Sequence, residues 1–392
     1  MELSLLDIKF VGILALVATA RKFCPVRYYP QYGVAVSALL VGVASVKTLA
    51  IITLITLLYL YPVHLLWRHL RARKRKYARL MLGLSIAGLV LLLFGFKVYR
   101  QFKVPFLGGL WASDRILALV GFSYFVLRAI NFLHIQSILD VDERTPWGLL
   151  FFMLFPPTVT SGPIQKYQDF AAQILAPLPL TAPLIAQSVY RITRGYFRKA
   201  VLAYVLDQLV KRLLGLTTLN AYGSLAIIVL LYLYFYFDFA GYSDVAIGFG
   251  GLMGIRVPEN FRNPFLATSV SEFWRHWHIT LVDWFRDNVF IPLGGMRSGR
   301  IRAACLALLI MVLCGMWHGL TIAFIAWGCW HGMLLFLEAV TGSKPMPPSQ
   351  RHGPRYWSRV LWTNARVAFG GLLFLPSMKS TLAVLGGLAK WY

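Results

Sequence analysis

The chain has 392 residues, of which 58% are hydrophobic and 14% are charged, and its mean hydropathy is +0.64. A soluble chain carries about 25% charged residues, so this composition excludes a soluble globular protein, and it excludes intrinsic disorder for the same reason. Four cysteines are too few for a disulfide scaffold. The composition predicts an integral membrane protein.

The charge of the chain is strongly positive, with 39 Lys and Arg against 15 Asp and Glu and a formal net charge of +24. In so apolar a chain this surplus is typical of cytoplasmic loops that face anionic lipid. An acid held at membrane depth is costly, so each of the scarce acids is a candidate for function.

Uncharged stretches recur along the chain and predict roughly nine to eleven transmembrane helices within one domain, residues 1–392. Residues Met1–Phe10 carry Glu2 and Asp7 before any Lys or Arg, so we expect a retained helix there and no signal peptide. The uncharged tract Ala303–Leu337 is long enough to cross the membrane twice, with a turn near Gly319–Thr321. The other candidates are Tyr28–Val46, Thr48–Trp67, Leu80–Phe96, Leu213–Phe237, the weaker Phe10–Ala20, Ile116–Leu127 and Trp147–Val159, and Val367–Met378 with Ser380–Ala389 as one tilted or broken helix.

Arg68–Arg79 holds seven Lys and Arg in twelve residues between two apolar spans. The positive-inside rule places this run in the cytoplasm as a topogenic, lipid-contacting loop. A docking site for an acidic donor protein is the alternative, and we expect no nucleic-acid binding, since no supporting domain accompanies the run. Arg351–Arg366 is a second basic segment, which we expect on the same side.

Polar residues concentrate between residues 238 and 287, where six of the fifteen acids lie. At membrane depth, polar non-helical backbone is tolerated only beside protein or a water-filled cavity. Pro258, Pro264, Pro292, Gly294 and Gly295 predict short, broken or re-entrant helices around a tunnel. The acids are Asp238, Asp244, Glu259, Glu272, Asp283 and Asp287.

The histidines are the candidate proton acceptors for an attacking hydroxyl. His318 lies inside the long uncharged tract, where a neutral imidazole needs a partner for each nitrogen. His276 and His278 are two residues apart, so at most one of them is expected to face a site. His331 repeats the Trp-His-Gly sequence of His318 and ranks below it as a candidate.

Other chemistries find little support in the sequence. No HExxH motif or compact histidine spacing indicates a metal site, so we expect no metal. No G-x-S-x-G elbow indicates a serine hydrolase. Three of the four cysteines lie in apolar tracts without metal-binding spacing, which predicts that they pack in the core.

A series of motifs resembles the membrane-bound O-acyltransferase (MBOAT) family. The resemblance is close over residues 150–335, which form the motif-bearing catalytic core. Within the family, the sequence is similar to the bacterial branch of polysaccharide O-acetylases and teichoic acid D-alanyl transfer proteins. The motifs are Ser161–Tyr167, Phe237–Asp244, Gly254–Phe261, Phe273–His278, Trp284–Asp287, Ile291–Gly295 and Trp317–Gly319.

The resemblance implies an all-α polytopic fold with a central tunnel and a buried catalytic His318, with His278 as the second family histidine. It implies that a small acyl group moves from a cytoplasmic thioester to a hydroxyl of an exported polymer. We expect no bound cofactor, since the acyl-CoA or acyl carrier protein is a co-substrate. An extracytoplasmic acyltransferase partner and the bacterial inner membrane are also implied.

Within that chemistry, His318 is expected to accept the hydroxyl proton, while His278 polarises the thioester carbonyl; the converse assignment stays open. Further residues are expected to line the tunnel or form a polar network that fixes the broken helices. These are Ser161, Gln165, Asp238, Tyr242, Ser243, Asp244, Asn260, Arg262, Trp274, Arg275, Trp277, Arg286, Asp287 and Trp317.

Two competing functions remain at this point. One is an acyltransferase of the same fold that acts on a lipid or a secreted small metabolite. The other is a transporter, which also places polar residues within helices. A transporter is expected to show inverted repeats, whereas this chain has no internal repeat and its polar residues concentrate in one stretch.

Overall fold

The computed structural model of the protein describes residues 8–102, 121–138, 145–216, 218–375 and 377–391. Part of the predicted segments Met1–Phe10 and Ile116–Leu127 lies outside these residues. The predicted all-α class is confirmed: the described residues form helices, and their β contact is the isolated bridge between Phe261 and Trp277. The first helices are α1 Ile8–Lys22, α2 Tyr29–Ala44, α3 Val46–Ile55, α4 Tyr61–Arg73, α5 Arg75–Phe102, α6 Phe122–Ile138, α7 Pro146–Leu154, α8 Pro156–Val159 and α9 Tyr167–Leu175.

The remaining helices carry most of the predicted motifs. They are α10 Ala182–Tyr196, α11 Tyr204–Leu214, α12 Ala221–Met253, α13 Val270–His276, α14 Ile279–Phe285, α15 Arg300–His318, α16 Ile322–Thr341, α17 Gly353–Gly371 and α18 Met378–Gly387. Three π-helical stretches, Thr56–Leu60, Phe197–Ala203 and Arg286–Phe290, adjoin these helices.

Among the described residues, five helices are long and apolar enough to cross a membrane. They are Val46–Arg71, Arg75–Tyr99, Ala221–Met253, Arg300–His318 and Ile322–Thr341. The chain is therefore a multi-pass membrane protein. The larger predicted number of nine to eleven stays a prediction, because several other apolar helices, such as α2 with 16 residues, are shorter than a full bilayer crossing.

The chain divides into two compact units. Unit 1 contains Met1–Arg194 and Ser243–Pro258, and unit 2 contains Gly195–Tyr242 and Glu259–Tyr392. The prediction of a single domain stays a prediction.

The core of unit 1 forms around α7, whose sequence is almost entirely apolar and whose residues Leu149–Leu154 are all buried. A helix that is apolar on every face is stable only when other elements surround it. Thr145 caps its start by accepting a hydrogen bond from the Gly148 N–H at 3.0 Å. Phe151 and Phe152 contact Phe170 of α9 edge to face, with ring centroids 5.1 and 5.3 Å apart.

Asp244 in unit 1 is 3% exposed, and its carboxylate is paired with two arginines of α10. Arg194 donates two hydrogen bonds to it at 2.9 and 2.6 Å, and Arg191 lies 3.2 Å away. Two-point contacts between a guanidinium and a carboxylate are among the strongest protein hydrogen bonds.

Asp238 in unit 2 forms an ion pair with Lys199, which the π-helical stretch Phe197–Ala203 carries. The sequence predicts an apolar helix that ends at Phe237, but α12 continues to Met253. Ion pairing explains the difference, since both Asp238 and Asp244 have cationic partners and the helix need not end where the acids begin.

The helical hairpin α15–α16 confirms the predicted two passes, with a turn at Gly319–Thr321. Thr321 caps α16 by accepting a hydrogen bond from the Phe324 N–H at 3.4 Å. The two helices approach closely at Gly328, where an added Cβ would lie 2.5 Å from the Met311 carbonyl oxygen. A glycine at this contact lets the two backbones meet, as is typical of helix pairs in membranes.

Short, broken helices between α12 and α15 are confirmed. Helices α13 and α14 have seven residues each, and Trp277 and His278 separate them. Ser269 caps α13 by accepting a hydrogen bond from the Glu272 N–H at 3.1 Å.

The second basic segment is largely helical, since α17 begins at Gly353. Two of its arginines pair with acids of unit 2. Arg351 donates to Glu272 at 2.5 Å, and Arg366 lies 3.7 Å from Glu338. These arginines therefore support neighbouring helices, in addition to any role in topology.

We expect Gly328→Val to destabilise the protein by about 1–3 kcal/mol, because the new side chain would press against the backbone of α15. Gly386→Ala is the matched control, since an added Cβ at Gly386 meets no atom within 4 Å. Thermal unfolding of the purified protein, followed by fluorescence-detected size-exclusion chromatography, compares the two variants. A Gly328→Val variant as stable as Gly386→Ala would contradict this packing.

Candidate active site

His278 lies at the break between α13 and α14, in the left-handed region with φ 45° and ψ 48°. This conformation is costly for a residue with a Cβ atom, so its neighbours must hold it. The Arg262 N–H donates to the His276 carbonyl at 3.0 Å, and the Ile279 N–H donates to the Asn260 carbonyl at 3.0 Å. These two bonds hold the segment of His278 against Asn260–Arg262.

The side-chain oxygen of Asn260 fixes the protonation of His278. It accepts hydrogen bonds from the Thr280 backbone N–H at 3.3 Å and the Thr280 hydroxyl at 2.9 Å. The backbone N–H can only donate, so this atom of the Asn260 amide is the oxygen. His278 Nδ1 lies 3.1 Å from the same oxygen and must carry the proton to bond with it.

His278 Nε2 therefore carries a lone pair. It is buried, and no described residue forms a hydrogen bond with it. Leaving a buried acceptor unsatisfied costs about 1–3 kcal/mol. A nitrogen that accepts a proton from a substrate is expected to have no hydrogen-bond partner within the protein.

Burial lowers the pKa of His278 well below its usual value, and the nearby His318 lowers it further. A pKa that is lower in the folded than in the unfolded protein means that protonation of His278 opposes folding. The imidazole is consequently neutral at neutral pH, as a proton acceptor must be.

His278 lines a cavity of about 160 Å³ within unit 2. Its walls come from α12, α13, α14, α15, α16, α17 and the segment after α17. No Lys or Arg lines the cavity among the described residues. The lining residues are Tyr232, Phe235, Asp238, Phe239, Phe273, Trp274, Trp277, His278, Leu281, Cys314, His318, Trp327, His331, Val367, Gly371 and Phe374.

His318 is the last residue of α15 and lines the same cavity as His278. Its ring packs edge to face on Trp317, Trp327 and Phe374, with centroids 4.9, 5.4 and 5.3 Å apart. Trp317 also contacts His278, with ring centroids 6.5 Å apart. The structure thus brings both predicted histidines into one aromatic cavity.

Two buried carboxylates brace the α13 segment that leads to His278. Glu338 of α16 accepts hydrogen bonds from the N–H groups of Val270 and Ser271 at 2.7 and 2.9 Å. An anion at these first N–H groups stabilises a helix start. Glu272 accepts bonds from the Thr268 N–H and hydroxyl, both at 2.8 Å.

The other predicted site residues divide into two groups. Four of them lie on or near the surface of unit 2: Arg262, Arg275 and Arg286 are exposed, and Asp287 is half-buried. Asp287 forms an ion pair with Arg286 that is only partly buried. Such a pair contributes about 0–1 kcal/mol to stability. Tyr242 is buried at the unit 2 end of α12, while Ser161, Gln165, Ser243 and Asp244 belong to unit 1.

Three further residues line the cavity although the sequence does not single them out as leading candidates. Cys314, read as a packing residue, lies one helical turn before His318 and so shares its face. His331 lines the cavity as well, and its Trp-His-Gly repeat was the available signal. Trp327 contacts both His318 and His331, with ring centroids 5.4 and 4.9 Å apart, and its sequence gave no signal.

Comparisons with known proteins identify the family to which the chain is similar. The model of the family described as MBOAT, membrane-bound O-acyltransferase, matches residues 109–370. The chain is 33% identical to a probable alginate O-acetylase AlgI of Pseudomonas putida, over 75% of this chain and 61% of that protein.

Two further relatives carry other names. A teichoic acid D-alanyltransferase of Bacillus subtilis is 30% identical over 63% of this chain and 65% of its own length. A peptidoglycan O-acetyltransferase of Helicobacter pylori is 30% identical over 66% of this chain and 55% of its own length. The chain thus spans between half and two thirds of the length of these curated relatives.

We expect ¹⁵N NMR of histidine-labelled protein to find His278 neutral, protonated at Nδ1, and unchanged as the pH falls through 6.5. The Asn260 bond fixes the tautomer, and burial keeps the pKa low. In Asn260→Ala the signal is expected to shift towards a mixture of tautomers. Asn220→Ala is the control, because the Asn220 side chain accepts a hydrogen bond from the Gly223 N–H and does not line the cavity. An Nε2-protonated His278 in the unaltered protein would contradict the assignment.

Proposed function

Because the chain belongs to the membrane-bound O-acyltransferase family, we propose that it is an O-acyltransferase. It moves a small acyl group, acetyl or D-alanyl, from a thioester to a hydroxyl of an exported polysaccharide or cell-wall polymer. The names of its relatives support these acyl groups and acceptors. The observation that carries the proposal is the unpartnered Nε2 of His278 in a cavity that also contains His318.

The size of the cavity supports a small acyl group. A volume of about 160 Å³ is below the 300–1,000 Å³ of ordinary ligand sites. It accommodates a two- or three-carbon acyl group with the sulfur and the attacking hydroxyl, and it is too small for a fatty acyl chain. A cavity of this size therefore favours transfer of an acetyl or D-alanyl group over transfer of a fatty acyl group.

The aromatic walls support acyl transfer over hydrolysis. Aromatic rings of α12, α13, α16 and the segment after α17 surround the histidines in the cavity wall. Exclusion of water protects a thioester from hydrolysis and strengthens every hydrogen bond inside the cavity.

The reaction follows from the tautomer of His278. His278 Nε2 accepts the hydroxyl proton while the oxygen attacks the thioester carbonyl carbon. The tetrahedral intermediate then loses the thiolate, and the sulfur takes a proton from the histidine pair of His278 and His318. While it is neutral, His278 has no proton at Nε2 with which to polarise a carbonyl. The tautomer therefore supports His278 as the base that accepts the hydroxyl proton. This is the converse of the first assignment from the sequence, in which His318 is the base and His278 polarises the thioester carbonyl.

The partners of the reaction are also part of the proposal. The protein lies in the inner membrane of a bacterium, and an acyl-CoA or an acidic acyl carrier protein delivers the thioester from the cytoplasm. The basic run Arg68–Arg79, at the junction of α4 and α5, suits an acidic carrier. An extracytoplasmic acyltransferase is the expected partner on the other side of the membrane.

The proposal is tested with purified protein in lipid nanodiscs, a radiolabelled acetyl or D-alanyl thioester and a polysaccharide acceptor. We expect His278→Ala and His318→Ala each to lower the rate of transfer by about 10²–10⁴-fold, because a proton-transferring group is lost. Lys211→Met is the control, since Lys211 pairs with Asp207 on α11 and does not line the cavity. Well-folded variants that keep the full transfer rate would refute the roles of the histidines. An unaltered protein that transfers neither group, with the extracytoplasmic partner supplied, would refute the function.

We expect Asn260→Ala to lower kcat by about tenfold or more, with a smaller change in KM. Loss of the hydrogen bond to Nδ1 releases the ring from the tautomer that keeps Nε2 open. The measurement is the pH dependence of kcat in Asn260→Ala and in Asn220→Ala. Identical profiles for both variants and the unaltered protein would show that Asn260 does not position His278.

A further inference from the structure

Two more buried nitrogen atoms in the cavity have no hydrogen-bond partner among the described residues. They are Nε1 of Trp274 and Nδ1 of His331, and the two residues are 8% and 1% exposed. Both residues line the cavity that contains His278 and His318. Their rings are in edge-to-face contact, with centroids 5.1 Å apart, so the two side chains are neighbours in the cavity wall.

Packing alone does not account for these residues. Both rings sit among aromatic neighbours, and Trp327 contacts Trp274 and His331 with centroids 5.7 and 4.9 Å away. A phenylalanine at either position would fill a similar volume without burying an unsatisfied polar atom. Buried polar groups in native proteins are nearly always paired, so a ligand is the expected partner here.

The surroundings hold the two rings in place. Glu338 ties the start of α13, which carries Trp274, to α16, which carries His331. Trp330 of α16 donates its indole N–H to the Arg366 carbonyl of α17 at 2.9 Å. A Cβ added at Gly370 of α17 would lie 2.5 Å from His331 Nε2. Backbone therefore packs against that edge of the ring, and the buried, unpartnered nitrogen of His331 is Nδ1.

The chemistry of the two groups selects the ligand atom. An indole N–H can only donate a hydrogen bond, so the ligand atom is an acceptor. The lining contains no Lys or Arg among the described residues, and the carboxylate of Asp238 is paired with Lys199. A resting anion would have no counter-ion, whereas the uncharged oxygen of a thioester carbonyl fits the site.

We propose that Trp274 and His331 form the oxyanion hole of the cavity. The indole N–H of Trp274 and the Nδ1–H of His331 donate to the carbonyl oxygen of the acyl group. As the acceptor oxygen forms its bond to the carbonyl carbon, the π electron pair moves onto this oxygen, and both donors stabilise the charge. The pair returns when the C–S bond breaks, and the thiolate leaves with the proton that His278 accepted.

This inference rests on the proposed acyl transfer and adds what that proposal lacks. His278 Nε2 accepts a proton, so it cannot stabilise negative charge on oxygen while it is neutral. Two neutral donors elsewhere in the cavity supply that function. Trp274 and His331 are thereby catalytic residues, because they contact the reacting carbonyl oxygen.

The test replaces Trp274 with β-(3-benzothienyl)alanine, in which a sulfur atom takes the place of the indole N–H and the ring keeps its shape. Transfer from an acetyl thioester to a polysaccharide hydroxyl is measured in nanodiscs. We expect kcat to fall by about 10²–10³-fold, with the KM of the donor changed less than about threefold, as for other oxyanion-hole donors. His331→Phe is expected to lower kcat in the same way, and Trp357→Phe, on the exposed side of α17, to leave it unchanged.

The outcomes separate this inference from the proposed function. An unaltered protein that transfers no acyl group refutes the function itself. An active protein whose benzothienyl variant retains full kcat refutes the role of Trp274 alone. A variant with normal kcat and a raised donor KM shows that the N–H binds the resting donor and stabilises no oxyanion, which also overturns the inference.

Discussion

Three hydrogen bonds to one atom, the side-chain oxygen of Asn260, determine the chemistry of the cavity. The Thr280 N–H identifies the atom as oxygen, and the oxygen in turn requires a proton on His278 Nδ1. An acceptor is then left at Nε2, inside a wall of aromatic rings. Asn260 is completely buried, so water does not compete for these bonds.

The rest of unit 2 serves to keep that arrangement in place. The left-handed backbone of His278 persists because two backbone bonds join its segment to Asn260–Arg262. Glu338 and Glu272 hold the beginning of α13, and Arg351 and Arg366 pair with these acids. The close hairpin α15–α16 brings His318 and His331 to the same cavity. Donors and acceptors are thus fixed before a substrate enters, which is the condition for electrostatic catalysis in a dry site.

Much of this arrangement was predictable from the sequence. The uncharged tract around His318 predicted the hairpin, because an apolar run of that length must cross the bilayer twice. The prolines and glycines after Asp238 predicted the broken helices, and the motif order predicted the family. His278 and His318 both line the cavity, and the signal in the sequence is that each stands in a polar or aromatic context unusual for an apolar chain.

What the sequence could not predict depends on three-dimensional contacts. The tautomer of His278 depends on Asn260, eighteen residues away, and no spacing rule connects them. Lys199 reaches Asp238 from a π-helical stretch, and sequence periodicity does not reveal a π-helix. The depth of the Arg286–Asp287 pair is likewise not predictable from the sequence, and the structure places this pair near the surface of unit 2. Charge pattern alone does not report burial.

The most direct test of the account is a cryo-EM structure of the protein in nanodiscs with an acetyl-CoA analogue that has a methylene group between the carbonyl and the sulfur. The account predicts the acetyl group inside the cavity, with its carbonyl carbon facing the space beside His278 Nε2 and its oxygen towards Trp274 and His331. An acetyl group seated outside the cavity, or turned with its oxygen towards His278 Nε2, would contradict it.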